Sequence, residues 1–64
     1  MTNPLFAPIR NIAAIRAKTG LNQKEFWEAV GVTQSGGSRF ESGRQMSKPV
    51  LGMLRTVYPQ WVET

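Results

Sequence analysis

The chain has 64 residues, eight Lys or Arg against four Glu, and neither cysteine nor histidine. That length allows one domain, burying only about 60% of the surface its unfolded chain exposes, so the core must be compact and helix-rich. With only Glu25, Glu28, Glu41 and Glu63 as carboxylates, disulfides, metal sites and acid–base catalysis have little to draw on; no enzymatic activity, cofactor, metal or small-molecule ligand is expected.

The net charge of +4 favours a polyanionic partner, although ordinary solubility accounts for the same balance. No apolar run approaches the roughly 18 residues that a membrane span needs, and no signal-peptide pattern opens the chain. A cytoplasmic, nucleoid-associated protein without a membrane partner is expected.

Residues 1–7 carry a proline and no clear period, and read as a flexible arm ahead of a domain over 8–64. Pro8 suits the first turn of a helix, where a missing N–H is harmless. From there Ile9, Ile12, Ala13 and Arg16 share one face at helical spacing, with Arg16 as a cation on the apolar stripe. Gly20 ends this helix in a left-handed cap.

Asn22 is an N-cap for a second helix, and Glu25 stands where a capping box requires it. Phe26, Trp27 and Val30 form the inner face of that helix, while Lys24 and Glu28 point outward. Gly31 supplies a turn that Val32 plugs from within. Thr33 caps a third helix running to about Ser42, which Gly43 closes. Residues 44–48 form a basic loop. Pro49 then opens a fourth helix with Val50, Leu51, Met53, Leu54, Val57 and Tyr58 on its apolar side. Pro59 stops or bends it, leaving room for one short turn with Trp61.

At 100° per residue, Gln34, Ser35, Ser38 and Arg39 fall on one arc of the third helix spanning about 140°, opposite Gly36, Gly37, Phe40 and Glu41. The first set can read DNA: Arg makes bidentate contacts with guanine O6 and N7, Gln with adenine N6 and N7, and serines permit close approach. Asn22 and Gln23 at the start of the second helix, Thr33 at the start of the third, and Arg44 and Lys48 beyond it are suited to phosphates. Asn22 serves equally as a cap alone. Lys18, Lys24, Arg10 and Arg55 offer no argument beyond charge and are assigned to the solvated surface.

The runs RAKTGLNQKEF and VGVTQSGGSRFESGR resemble the Cro and phage-repressor (Xre-type) helix-turn-helix family over residues 8–58. The resemblance rests on Gln23, Gly31-Val32, Thr33-Gln34, Ser38-Arg39 and Glu41-Ser42-Gly43 taken together. The wording around TQSGGSR also resembles a group of very short bacterial regulators without a second domain. It implies an all-α, lambda-repressor-like bundle of four to five short helices, with the helix-turn-helix at 23–43, binding double-stranded operator DNA as a homodimer. It implies base reading by Gln34, Ser35 and Arg39, a phosphate held at Gln23, and an internal ion pair between Arg16 and Glu41. A prophage or mobile-element setting is implied as well.

Two positions depart from that family. It generally has alanine where this chain has Trp27 and a branched aliphatic where it has Gly37. A compensated exchange of volume would explain both. The rival explanation is that Gly36 and Gly37 let the third helix flex or approach DNA closely, at a cost of roughly 1 kcal/mol each against alanine.

A chain this short leaves no room for a sensor domain, so repression by promoter occupation is expected. Met53, Tyr58, Trp61 and Val62 are candidates for a dimer surface; Tyr58 and Trp61 could equally cover the core. The alternative from another class is an antitoxin-type interaction module that also binds its own promoter, with the 1–7 arm and the WVET tail as its only spare pieces. RNA binding lacks the exposed aromatic platform of common single-strand readers.

Overall fold

Local capping signals set most of the helix boundaries. The computed structural model describes residues 8–62, and the arm at 1–7 and the last two residues of the tail lie outside them. Among the described residues there are four helices and no strand: α1 Ile12–Thr19, α2 Gln23–Glu28, α3 Gln34–Glu41 and α4 Lys48–Val57. At the start of α2 the Glu25 N–H donates to Asn22 Oδ1 at 2.8 Å, and the Asn22 N–H donates to Glu25 Oε1 at 3.4 Å, which completes a capping box. At the start of α3 the Gly36 N–H donates to Thr33 Oγ1 at 3.1 Å. Each contact satisfies an orphan donor of a first helical turn.

Pro8 does not begin α1. Asn11 takes φ 57° and ψ 47°, a left-handed conformation that asparagine tolerates but that cannot continue into a right-handed helix. The helix therefore starts at Ile12, with the Ala14 and Ile15 N–H groups donating to Asn11 O. Ile9 still packs on the core, but from an irregular segment. At the other end Gly20, at φ 80°, closes α1 as its N–H donates to Ala17 O.

The core gathers Ile12, Phe26, Trp27, Val30, Leu54, Tyr58 and Val62. Phe26 and Trp27, adjacent on α2, are wholly buried. Their rings meet edge to face at 5.1 Å, and Tyr58 stacks on Phe26 at 4.4 Å. The Tyr58 hydroxyl donates to Phe26 O at 2.8 Å, so a buried phenol is satisfied and the end of α4 is tied to α2. Beyond Pro59, the Val62 N–H donates to Tyr58 O at 2.9 Å, and the resulting turn folds Val62 into the core. Tyr58 and Val62 are thus core residues, not a surface for a second copy. Met53, Val57 and Trp61 stay exposed.

Arg55 also departs from its expected place on the surface. It is only 6% exposed, and it lines a cleft with Ile15, Lys18, Trp61 and Val62. At that exposure the guanidinium is buried along with its stem, which charge alone does not reveal.

Trp27 and Gly37 face each other between α2 and α3. A Cβ built at Gly37 would fall inside the indole, against Cδ1 and Cγ and 2.6 Å from Cδ2. The ring therefore packs on bare backbone, with Phe40 tilted against it at 5.5 Å. Gly36 is a milder case: its Cβ would sit 3.2 Å from Val32 Cγ1 and 3.3 Å from Thr33 Oγ1. A side chain there would press on the turn plug and on the cap of α3.

Gly37→Val should destabilise the fold by about 1–3 kcal/mol or more, the range for forcing atoms into a packed core. Trp27→Ala alone should lose about 3–5 kcal/mol. The double variant should lose clearly less than the sum, with a coupling of about 1–3 kcal/mol in urea unfolding. Additive losses would show that the indole and the glycine do not share one volume.

Candidate nucleic-acid interface

The α2–turn–α3 unit is fixed at its corner by Gly31, whose φ of 78° permits the tight turn. The Gly31 N–H donates to Glu28 O at 3.0 Å and the Val32 N–H to Trp27 O at 2.9 Å. Val32 packs against the core below the turn.

Burial divides α3 along its length. Gln34, Ser35 and Arg39 are exposed and Ser38 is half-buried, whereas Gly37 is buried and Phe40 and Glu41 are half-buried. Ser38 O accepts from the Ser42 hydroxyl at 2.9 Å, and Arg39 O accepts from the Arg44 N–H at 3.1 Å. The end of the helix is thereby closed, and Gly43, at φ 112°, turns the chain away. The three exposed side chains include two with the fork-like donor or donor–acceptor geometry that base edges require.

The groups expected to meet phosphates stand at helix starts and in the loop after α3. Asn22 is exposed, but its Oδ1 is committed to the capping box, leaving its N–H₂ as a donor. Thr33 uses an oxygen lone pair on Gly36 N, so its hydroxyl proton remains available. Arg44 is exposed in the loop before α4. Lys48 is not a loop residue; it opens α4 one position ahead of Pro49. It thus places an ammonium beside unpaired N–H groups of a first helical turn, which also favour anions.

The back of the interface is organised by Glu41. Arg16 Nε donates to Glu41 Oε2 at 2.7 Å and Arg16 Nη2 to Oε1 at 3.1 Å, a bidentate ion pair between α1 and α3. Arg16 Nη1 donates to Leu21 O at 3.1 Å, which holds the α1–α2 connection to the same guanidinium. Two further donors come from α2: Trp27 Nε1 reaches Oε2 at 2.7 Å and Gln23 Nε2 reaches Oε1 at 3.2 Å.

The Gln23 amide, suited by sequence to a phosphate, and the indole N–H, to which the sequence assigns no partner, both serve this carboxylate. A signal was present in the spacing, since Gln23 and Trp27 are one turn apart on α2 and a buried indole needs an acceptor. The identity of that acceptor depended on how α3 packs. Burial pushes the Glu41 carboxyl up, but the hydrogen bonds from Arg16, Trp27 and Gln23, and the charge of Arg16, outweigh it and hold the group below its ordinary value of 4.5. Glu41 is therefore ionised at neutral pH.

Among the described residues no three His, Cys, Asp or Glu come together as a metal site would require. No helix there is long and apolar enough to cross a membrane.

A family model described as the RsaL-like HTH domain matches residues 13–57. The chain belongs to the RsaL-like helix-turn-helix family. The matched span runs from the second residue of α1 to the last of α4, so the RsaL-like unit contains the Glu41 network, the Trp27–Gly37 contact and the whole outward face of α3. No curated protein and no solved structure matches the chain.

Two outcomes test the network. A carboxyl whose pKa is lower folded than unfolded lends stability that is present above the unfolded value and lost as pH falls through the folded one. Stability should therefore decline on acidification below about pH 5, near the top of the unfolded carboxylate range, and Glu41→Gln should flatten that decline in thermal melts taken across pH. Arg16→Met should destabilise by about 2–4 kcal/mol. This lies toward the lower side of the ~3–5 kcal/mol for breaking a buried pair, because the Arg16 side chain keeps 22% exposure while that of Glu41 keeps 7%. A variant that melts like the parent would show that the pair contributes nothing net.

Proposed function

We propose that this RsaL-like domain is a sequence-specific transcriptional regulator that lays α3 in the major groove of DNA. One observation carries the reading: Gln34, Ser35 and Arg39 stand exposed together on a helix whose opposite side is anchored through Gly37 and Glu41. Base readers have to be presented without freedom to wander, and an anchored helix meets that demand. Ser38, half-buried beside them, approaches the bases or sugar edge through its short side chain.

Asn22, Gln23, Thr33, Arg44 and Lys48 hold the flanking phosphates and fix the register. The likeness to Cro and phage repressors belongs to the same proposal, as do a bacterial origin and repression by occupying a promoter. A homodimer fits best, because one short helix reads few base pairs and paired half-sites about 34 Å apart supply the rest. The exposed Met53, Val57 and Trp61 support a contact between copies on the α4 side.

Selection from a random DNA pool should return a preferred sequence, palindromic for a dimer. On that sequence Arg39→Ala should lose about 1–3 kcal/mol of binding and flatten preference at one base pair, whereas Arg44→Ala should weaken all sequences alike and reduce the salt slope by about 1. An Arg39→Ala profile identical to the parent's would place the reading face elsewhere.

A further inference from the structure

The four donors around Glu41 of α3 come from α1 and α2, and one of them, the Gln23 amide, also lies among the groups suited to phosphate. An ionised carboxylate only accepts hydrogen bonds, so Glu41 fixes which end of the Gln23 amide faces inward: it must be the N–H₂. One of its two N–H bonds is used on Oε1 at 3.2 Å. The half-buried Gln23 keeps its second N–H for an acceptor outside. The indole N–H of Trp27 takes Oε2 at 2.7 Å, alongside Arg16 Nε on the same oxygen. Oε1 is left to Gln23 and the longer bond from Arg16 Nη2.

We propose that Trp27 and Glu41 are positioning residues for DNA binding, and that the indole N–H orients the Glu41 carboxylate so that the Gln23 amide bridges it to a DNA phosphate. The inference rests on the DNA-binding reading above and adds a role for a wholly buried residue. It gives the large side chain at 27 a second consequence besides filling the space over Gly37. The Arg16 cation is part of the device, because an unneutralised carboxylate would repel the phosphate that shares its amide. Of the other charged groups, Arg10 and Arg44 line the cleft that includes Glu41, but the charge that holds the carboxylate ionised is that of Arg16.

Trp27→Phe removes the donor and keeps an aromatic ring; Trp27→3-benzothienylalanine, accessible by synthesis in a chain this short, replaces the N–H by sulfur at nearly constant volume. Each is compared with Gln23→Ala and with the double variant on the selected operator, with helicity checked by circular dichroism. Each single change should weaken binding by about twofold to tenfold, the worth of one hydrogen bond. That loss should be uniform across single-base variants of the operator, leaving the preference profile intact. The double variant should bind no worse than the weaker single, since the indole acts through the amide. The pH at which affinity collapses on acidification should rise in the position 27 variants, because Glu41 has lost a donor.

Parent-like affinity with an unmoved acid limb for the folded benzothienylalanine protein would overturn the inference, as would losses that multiply in the double variant; both leave DNA binding by the parent intact. Failure of the parent to select any sequence would instead overturn the reading of the interface on which this rests.

Discussion

One carboxylate joins three of the four described helices of this domain. Glu41 lies at the end of α3 and accepts hydrogen bonds from Arg16 on α1 and from Gln23 and Trp27 on α2. A half-buried charge is costly unless it is paired and its lone pairs are satisfied. Here both conditions hold, and among the described residues no buried side-chain polar atom lacks a partner. Helices this short have little stability of their own. Their mutual angles must be held from outside, and a four-bond hub holds them with directional contacts that apolar packing alone does not supply.

The same region contains the domain's least ordinary packing. Trp27 brings the volume of an indole into a small core, and it fits because Gly37 offers only backbone across from it. The indole has two chemically distinct parts. Its rings fill the gap between α2 and α3 and meet Phe26 and Phe40, while its N–H joins the polar hub. Filling the core and ordering the charge network are therefore one event at one side chain. The glycine penalty in the middle of α3 is offset by that burial, and this favours packing over flexibility as the reason for Gly37. At Gly36 it is Thr33 and Val32, not the indole, that a side chain would meet.

The outward side of α3 is held in place because its inward side is so constrained. Gln34, Ser35 and Arg39 are exposed on a helix anchored at its N-terminus by Thr33, in its middle by Gly37 and at its end by Glu41. A reader fixed in this way would lose little side-chain or backbone freedom on meeting a rigid duplex, which is the condition for spending contact energy on discrimination.

Much of this was legible in the residues themselves. Capping chemistry is local, so Asn22, Glu25, Thr33, Gly31 and Gly43 marked the helix-turn-helix without help from the rest of the chain. Helical periodicity likewise separated Gln34, Ser35 and Arg39 from Gly37 and Glu41, because a short helix obeys its own geometry. Local rules failed where a distant partner or an unusual backbone angle decided the outcome. Asn11 turned left-handed and moved the start of α1 past Pro8. Arg55, read as a surface cation, was buried, Met53 and Val57 on the apolar side of α4 stayed exposed, and Val62 was drawn inward by a turn after Pro59. The sequence by itself determined an all-helical domain with an outward polar face on α3, since both follow from short-range spacing. Only the tertiary structure decided that Trp27 and Gln23 converge on Glu41, because hydrogen bonds across 14 and 18 residues depend on how whole helices cross, and no local pattern encodes that.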